Sequence, residues 1–105
     1  MRGSIERLLT IFGYGTNSFA SAAEFVNVAA SSRADCLLID IHLGADSGLE
    51  LARHAVVRAL NLPVIFMTAS DDDALRTHAL ALGVAYLRKP FTSDELRKAL
   101  ASAGL

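Results

Sequence analysis

The chain has no tryptophan, one cysteine and two prolines in 105 residues, and aromatic residues make up only 7% of it. Each scarcity excludes something. The single cysteine, Cys36, cannot close an internal disulfide or supply a multi-cysteine metal site, and it reads as a small core hydrophobe. Ten basic against eleven acidic residues give a net charge of -1. That balance lacks the basic excess with which proteins neutralise nucleic-acid phosphates, so no nucleic-acid binding is expected of this chain alone. No apolar run approaches the roughly 20 residues of a membrane-spanning helix. No charged-then-apolar leader opens the sequence, and a cytoplasmic protein without membrane association is expected. Repeats and low-complexity linkers are also missing, and the length suits a single domain over residues 1–105.

What is present is apolar sequence, 52% of the chain, dealt out as alternating helical and short extended segments. A first helix is expected from about Ser4, which can cap it, to Phe12, with Ile5, Leu8, Leu9 and Phe12 on one face. A short strand follows at Gly15 to Phe19, and the capping box Ser21-Ala-Ala-Glu24 opens a helix to about Ala30. Cys36-Leu37-Leu38-Ile39 is a continuous apolar run ending in Asp40, the pattern of a strand covered on both faces and expected at the centre of a sheet. A second capping box, Ser47-Gly-Leu-Glu50, opens a helix with Leu49, Ala52, Val56 and Ala59 inward and Glu50, His54 and Arg58 outward, stopped by Asn61 and Pro63.

Val64-Ile65-Phe66-Met67 is another buried strand, ending at Thr68. Ser70 and the aspartates after it stand where a helix amino terminus favours negative charge, which explains Asp71-Asp72-Asp73 better than a cation loop does. That helix ends at Gly83, Ala85 to Arg88 form a third short strand ending at Lys89, and Thr92-Ser-Asp-Glu95 caps a last helix with Leu96, Ala99 and Leu100 inward. The order αβαβαβαβα, with right-handed crossovers, predicts an α/β fold: a doubly wound parallel sheet with helices on both faces. Such a unit ordinarily begins with a strand, and the first helix here has none before it.

In an open parallel sheet the functional crevice lies at the carboxyl ends of the strands. Asp40, Thr68 and Lys89 end the three apolar strands. A carboxylate, a hydroxyl and an ammonium converging there suit a transferring phosphoryl group, as nucleophile, hydrogen-bond donor and counter-charge. Taken singly, each has a plainer reading: a loop-start aspartate, a strand-end threonine, a solvated lysine. The set carries the argument. Lys89 precedes Pro90, and a cis bond there is expected to turn the lysine into the crevice. His42, His54 and His78 do not form an i, i+4 pair of the kind that binds a metal on one helix face.

On these residues the chain resembles a receiver domain of the two-component response-regulator family. The resemblance rests on Leu-Leu-Ile-Asp40 with Gly48 eight residues later, Val-Ile-Phe-Met-Thr68-Ala69, and Tyr86-Leu-Arg-Lys89-Pro90-Phe91. It implies a flavodoxin-like receiver fold and a signalling switch rather than an enzyme. Asp40 is then the phosphoacceptor for a histidine kinase or phosphotransfer protein, Thr68 and Lys89 the phosphate contacts, Thr68 and Tyr86 the switch pair, and Gly48 and Pro90 turn positions. The output is a changed affinity for a downstream protein, and the apolar flank of the last helix permits a homodimer.

The family's first strand and its terminal acidic pair, which hold Mg²⁺ together with the phosphoacceptor and the carbonyl two residues on, are absent here. Asp40 and the His42 carbonyl alone predict weak Mg²⁺ binding. Three outcomes are expected for the missing strand: an upstream start, a strand lent by another protomer, or direct pairing of the Gly15 to Phe19 strand with the Cys36 to Ile39 strand. The absent acidic pair also supports a second reading, a pseudo-receiver that binds partners without phosphate. A haloacid dehalogenase-like phosphatase is a third, disfavoured because its second aspartate is replaced by His42.

Overall fold

The most apolar segment of the sequence, Val-Ile-Phe-Met-Thr, forms a strand buried at all of its residues, Val64–Thr68. It is the middle of the sheet in the computed structural model, which describes residues 2–17, 19, 22–28, 33–43, 46–69 and 72–105. In chain order the elements are α1 (Arg2–Ile11), α2 (Ala22–Val28), β1 (Leu37–Asp40), β2 (His42–Leu43), β3 (Asp46–Ser47), α3 (Gly48–Arg53), α4 (Ala55–Ala59), β4 (Val64–Thr68), α5 (Asp73–Leu82), β5 (Ala85–Arg88) and α6 (Ser93–Ser102). β1, β4 and β5 make a parallel sheet in that order, and β2 and β3 make a separate antiparallel hairpin.

Successive strand residues point to opposite faces, and β4 divides its side chains accordingly. Ile65 and Met67 join Leu9 of α1, Leu87 of β5 and Leu96, Ala99 and Leu100 of α6. Val64 and Phe66 join Phe25 of α2, Leu37 and Ile39 of β1, Leu49 and Ala52 of α3, Val57 of α4 and Ala79 of α5. The sheet therefore carries α1 and α6 on one face and α2 to α5 on the other, as the alternation predicts.

Several helix ends follow from local chemistry. The Thr92 hydroxyl accepts from the Glu95 N–H at 3.1 Å while Glu95 Oε1 accepts from the Thr92 N–H at 3.1 Å, closing the expected capping box of α6. Asp72 caps α5, its carboxylate accepting from the Ala74 N–H at 2.9 Å. α1 closes on Gly13, at φ 94°, where Gly13 donates to Thr10 and Tyr14 to Leu9. Glycine supplies the left-handed turn that this double closure requires.

Four expectations are corrected. The chain over 15–17 and 19 forms no strand: without a ladder partner an extended piece leaves its backbone groups unpaired, so no strand is gained there. It follows that β1 is an edge strand rather than a central one; Leu37 and Ile39 are buried on one face, and Leu38 on the other is partly buried against the cluster of α1 and α6. The helix expected to run on to Ala59 is broken at His54, whose N–H donates to Leu51 at 3.1 Å, three residues back. This tighter turn advances the phase of the second half, so Val57 is buried and Ala59 exposed. Ser4 lies inside α1, which starts at Arg2, so it is not the cap. Ser21, Ala30, Ser70 and Asp71 lie outside the described residues.

Gly48 begins α3 against the end of β1. A Cβ at this position meets the Asp40 carbonyl oxygen, Ile39 Cγ2 at 2.7 Å and the Ile41 Cα at 2.8 Å. Two of the three are backbone, which cannot step aside as a flexible side chain does. Gly48→Ala is expected to cost about 1–3 kcal/mol by overpacking, read as a lower urea midpoint; an unchanged midpoint contradicts the packing.

Cys36 packs half-buried at the foot of β1, beside the α1 and α6 cluster. Burial pushes its thiol from 9.0 up to about 11; a backbone hydrogen bond at Leu37 opposes the shift and the negative charge of Asp35 adds to it. The unfolded chain ionises first, so stability falls as pH rises across that window. Because the thiolate is the nucleophile, native protein is expected to alkylate slowly with iodoacetamide at pH 9 and quickly once unfolded in urea. Equal rates in the two states exclude a buried thiol.

Candidate functional site

Parallel strands bring their carboxyl ends to one side of the sheet. Asp40 closes β1 opposite Met67, and Thr68 closes β4 opposite Arg88. Lys89 leaves β5 with its N–H donating to the Thr68 carbonyl at 2.7 Å, and the Ile41 N–H donates to the Met67 carbonyl at 2.8 Å. The ladder thus continues one residue past β1 and β5, holding the backbones of Asp40 and Lys89 on either side of β4. Their side chains meet across it: Lys89 Nζ lies 2.5 Å from Asp40 Oδ2, a charge-assisted hydrogen bond.

Lys89 and Asp40 are 27% and 28% exposed, whereas Thr68 is fully buried. The ion pair is therefore partly open to solvent, and the hydroxyl residue is enclosed. Tyr86, inside β5, is half-buried against the cluster that contains Phe66. The Lys89–Pro90 bond is cis, as expected from the sequence. Gly48 donates its N–H to the Ile41 carbonyl at 2.7 Å, bringing the start of α3 against the site. His42 opens β2, paired with Ser47. The hairpin was not foreseen; the signal for it is Gly44 between two pairs of residues, too short for an alternation to show.

The sequence model of the response regulator receiver domain family matches residues 1–101. This chain belongs to that family. The receiver is 31% identical over 104 residues to the transcriptional regulatory protein FixJ of Bradyrhizobium diazoefficiens, covering 98% of this chain and 51% of that protein. It is 33% identical over 97 residues to the response regulator MprA of Mycobacterium avium, covering 91% and 42%. The chain thus spans about half the length of the curated relatives it matches.

Among solved structures, it superposes with a TM-score of 0.81 on the signal receiver domain of a modulated diguanylate cyclase from Desulfovibrio desulfuricans, at 34% identity, covering 96% of this receiver and 82% of that chain. The receiver domain of a sensor histidine kinase from Pseudomonas aeruginosa gives a TM-score of 0.82 at 30% identity, covering 97% and 86%; that protein holds a magnesium ion in its active-site cleft.

Magnesium demands six oxygen ligands in near-octahedral order and is reluctant to give up its water. Among the described residues of this receiver, no three His, Cys, Asp or Glu side chains come together. Oδ2 of Asp40 faces an ammonium group instead. This donor set does not fit a divalent cation.

The Asp40–Lys89 pair is open to water, so its attraction is largely screened. A double-mutant cycle with Asp40→Asn and Lys89→Gln is expected to give a coupling of about 1 kcal/mol or less, shrinking with added salt. A salt-independent coupling of about 3 kcal/mol or more marks the pair as a structural brace.

Proposed function

We propose that this receiver is a phosphoacceptor switch in two-component signalling, with Asp40 taking a phosphoryl group from a histidine kinase or phosphotransfer protein. The observation that carries the reading is the Asp40–Lys89 contact at the strand ends, with the Lys89 backbone bonded to that of Thr68. In the transfer, an Asp40 carboxylate oxygen attacks phosphorus, the bond from phosphorus to the donor imidazole nitrogen breaks, and that nitrogen leaves with the electron pair. Lys89 meets the charge spread over the equatorial oxygens. Thr68 donates its hydroxyl to one of those oxygens by rotating from its enclosed position.

Tyr86 follows Thr68 inward, since both lie on the face that packs α3 to α5. The changed surface over α5, β5 and α6 then alters affinity for a downstream protein, in the cytoplasm where kinase domains and their ATP reside. A second reading is favoured by one observation, the poor fit of the site to magnesium: an interaction module whose Asp40 stays paired with Lys89.

The two readings part on one measurement. Incubation with acetyl phosphate, with and without Mg²⁺, followed by intact-mass analysis, is expected to show a gain of one phosphoryl group. The gain should survive acid, be removed by hydroxylamine and vanish in Asp40→Asn. No gain from acetyl phosphate or from a phosphorylated kinase leaves the second reading.

A further inference from the structure

We propose that the outer edge of β1 pairs with β1 of a second copy of this chain, joining two three-stranded sheets into one continuous sheet across a twofold axis. The inference goes beyond phosphoryl transfer and needs no ligand at Asp40.

The edge is defined by the hydrogen bonds of the ladder. The Leu37 N–H donates to the Pro63 carbonyl at 2.9 Å and the Ile41 N–H to the Met67 carbonyl at 2.8 Å. Alternate residues of a parallel strand bond to the same neighbour, so Leu37, Ile39 and Ile41 face β4 while Leu38 turns its N–H and carbonyl the other way. β1 has no neighbour on that side, and among the described residues no group bonds to the Leu38 backbone. Leu38 is nevertheless half-buried, where an unpaired peptide group is unfavourable. Such an edge is a template for another strand.

The layers beside the edge are incomplete as well. α6 lies against β5 and buries Leu96, Ala99 and Leu100, which leaves α1 the β1 side of that face. Among its described side chains α1 buries only Leu9; Ile5, Leu8 and Phe12 stay half-buried, as do Cys36 and Leu38. On the opposite face α2 buries Phe25, while Phe19 and Val26 stay half-buried. Apolar side chains thus border the edge above and below.

The occupant these layers accept is an extended segment apolar on both faces, and β1 itself meets that description. A twofold axis through Leu38, perpendicular to the sheet, runs the two strands antiparallel, with the two Leu38 residues exchanging both N–H···O bonds. Directly opposed residues of antiparallel strands share a face. Leu38 of the partner subunit therefore arrives on the α1 side, and the partner's Leu37 and the partner's Ile39 arrive on the α2 side. The contact is self-complementary and closes as a dimer. It also sends the two Asp40 sites to opposite ends of the joined sheet.

The exposed area agrees. A folded chain of 11.2 kDa is expected to expose about 5,700 Å², and this one exposes 6,549 Å². The surplus, roughly 850 Å², matches the roughly 800 Å² that each partner contributes to a standard interface.

The test is size exclusion with light scattering, together with amide hydrogen exchange on ¹⁵N-labelled protein. The chain is expected to elute at twice its monomer mass and to fall to the monomer mass on dilution. Exchange of the Leu38 amide is expected to slow as protein concentration rises. Leu38→Lys places a charge in the seam and is expected to give a folded monomer. Leu80→Glu, on the exposed side of α5, leaves the dimer intact.

Spectral dispersion reports whether Leu38→Lys is folded; if it is not, the exchange of Leu38 in the natural sequence decides the matter. A chain that stays monomeric at millimolar concentration overturns the proposal. So does a Leu38 amide that exchanges equally fast at every concentration, a folded Leu38→Lys that remains dimeric, or a dimer that Leu80→Glu dissociates. A monomer whose Leu38 amide slows only when an extended apolar peptide is added also overturns it, and assigns the edge to a different chain.

Discussion

A strand buried on both faces needs apolar layers above and below it and hydrogen-bonded neighbours on both edges. β4 obtains all four, and the rest of the chain is distributed to supply them. α1 and α6 cover Ile65 and Met67, α2 to α5 cover Val64 and Phe66, and β1 and β5 take the two edges. Because both neighbours run parallel to β4, their last residues arrive on one side of the sheet without any special loop. The candidate site is thus a by-product of the way the central strand is satisfied. Asp40 and Lys89 are separated by 49 positions in the sequence, yet their approach depends on one ladder.

The same constraint explains the division of polarity within the site. Thr68 is the last residue of the buried strand and inherits its complete burial, whereas Asp40 and Lys89 stand where the edge strands run out into solvent. A charged pair in that position gains little stability, and it is correspondingly free to exchange one partner for another. Placing the charged pair at the strand ends separates the rigid buried part of the sheet from the part exposed to solvent.

Much of this was legible in the sequence because continuous apolar runs have few readings. Leu37–Asp40, Val64–Thr68 and Ala85–Arg88 were each foreseen to within a residue, and the strand-end residues followed from them. The capping box at Thr92 is a local signal and was read correctly for the same reason. What escaped depends on partners. The chain over 15–17 and 19 has strand-like composition but gains nothing from being extended without a neighbour. Whether β1 was central or at an edge was likewise decided by another segment. The break at His54 was hidden because its surroundings, Leu51 to Val57, give an acceptable helical pattern in either phase. The hairpin over His42–Leu43 and Asp46–Ser47 is too brief to impose a period. The family resemblance singled out Asp40 as the candidate phosphoacceptor, while the contact between Lys89 and Asp40 is a matter of side-chain geometry that spacing alone does not fix.

The burial of Thr68 has one more consequence. With Thr68 inaccessible and Ile41 and Met67 at 2% and 6% exposure, the backbone beneath Asp40 is a closed floor to solvent. The carboxylate and the Lys89 side chain beside it both remain partly exposed to water. A group esterified to Asp40 is therefore shielded on one side by the core of the protein. On the solvent side, Lys89 is the described side chain in contact with that carboxylate, so its position bears directly on how water approaches.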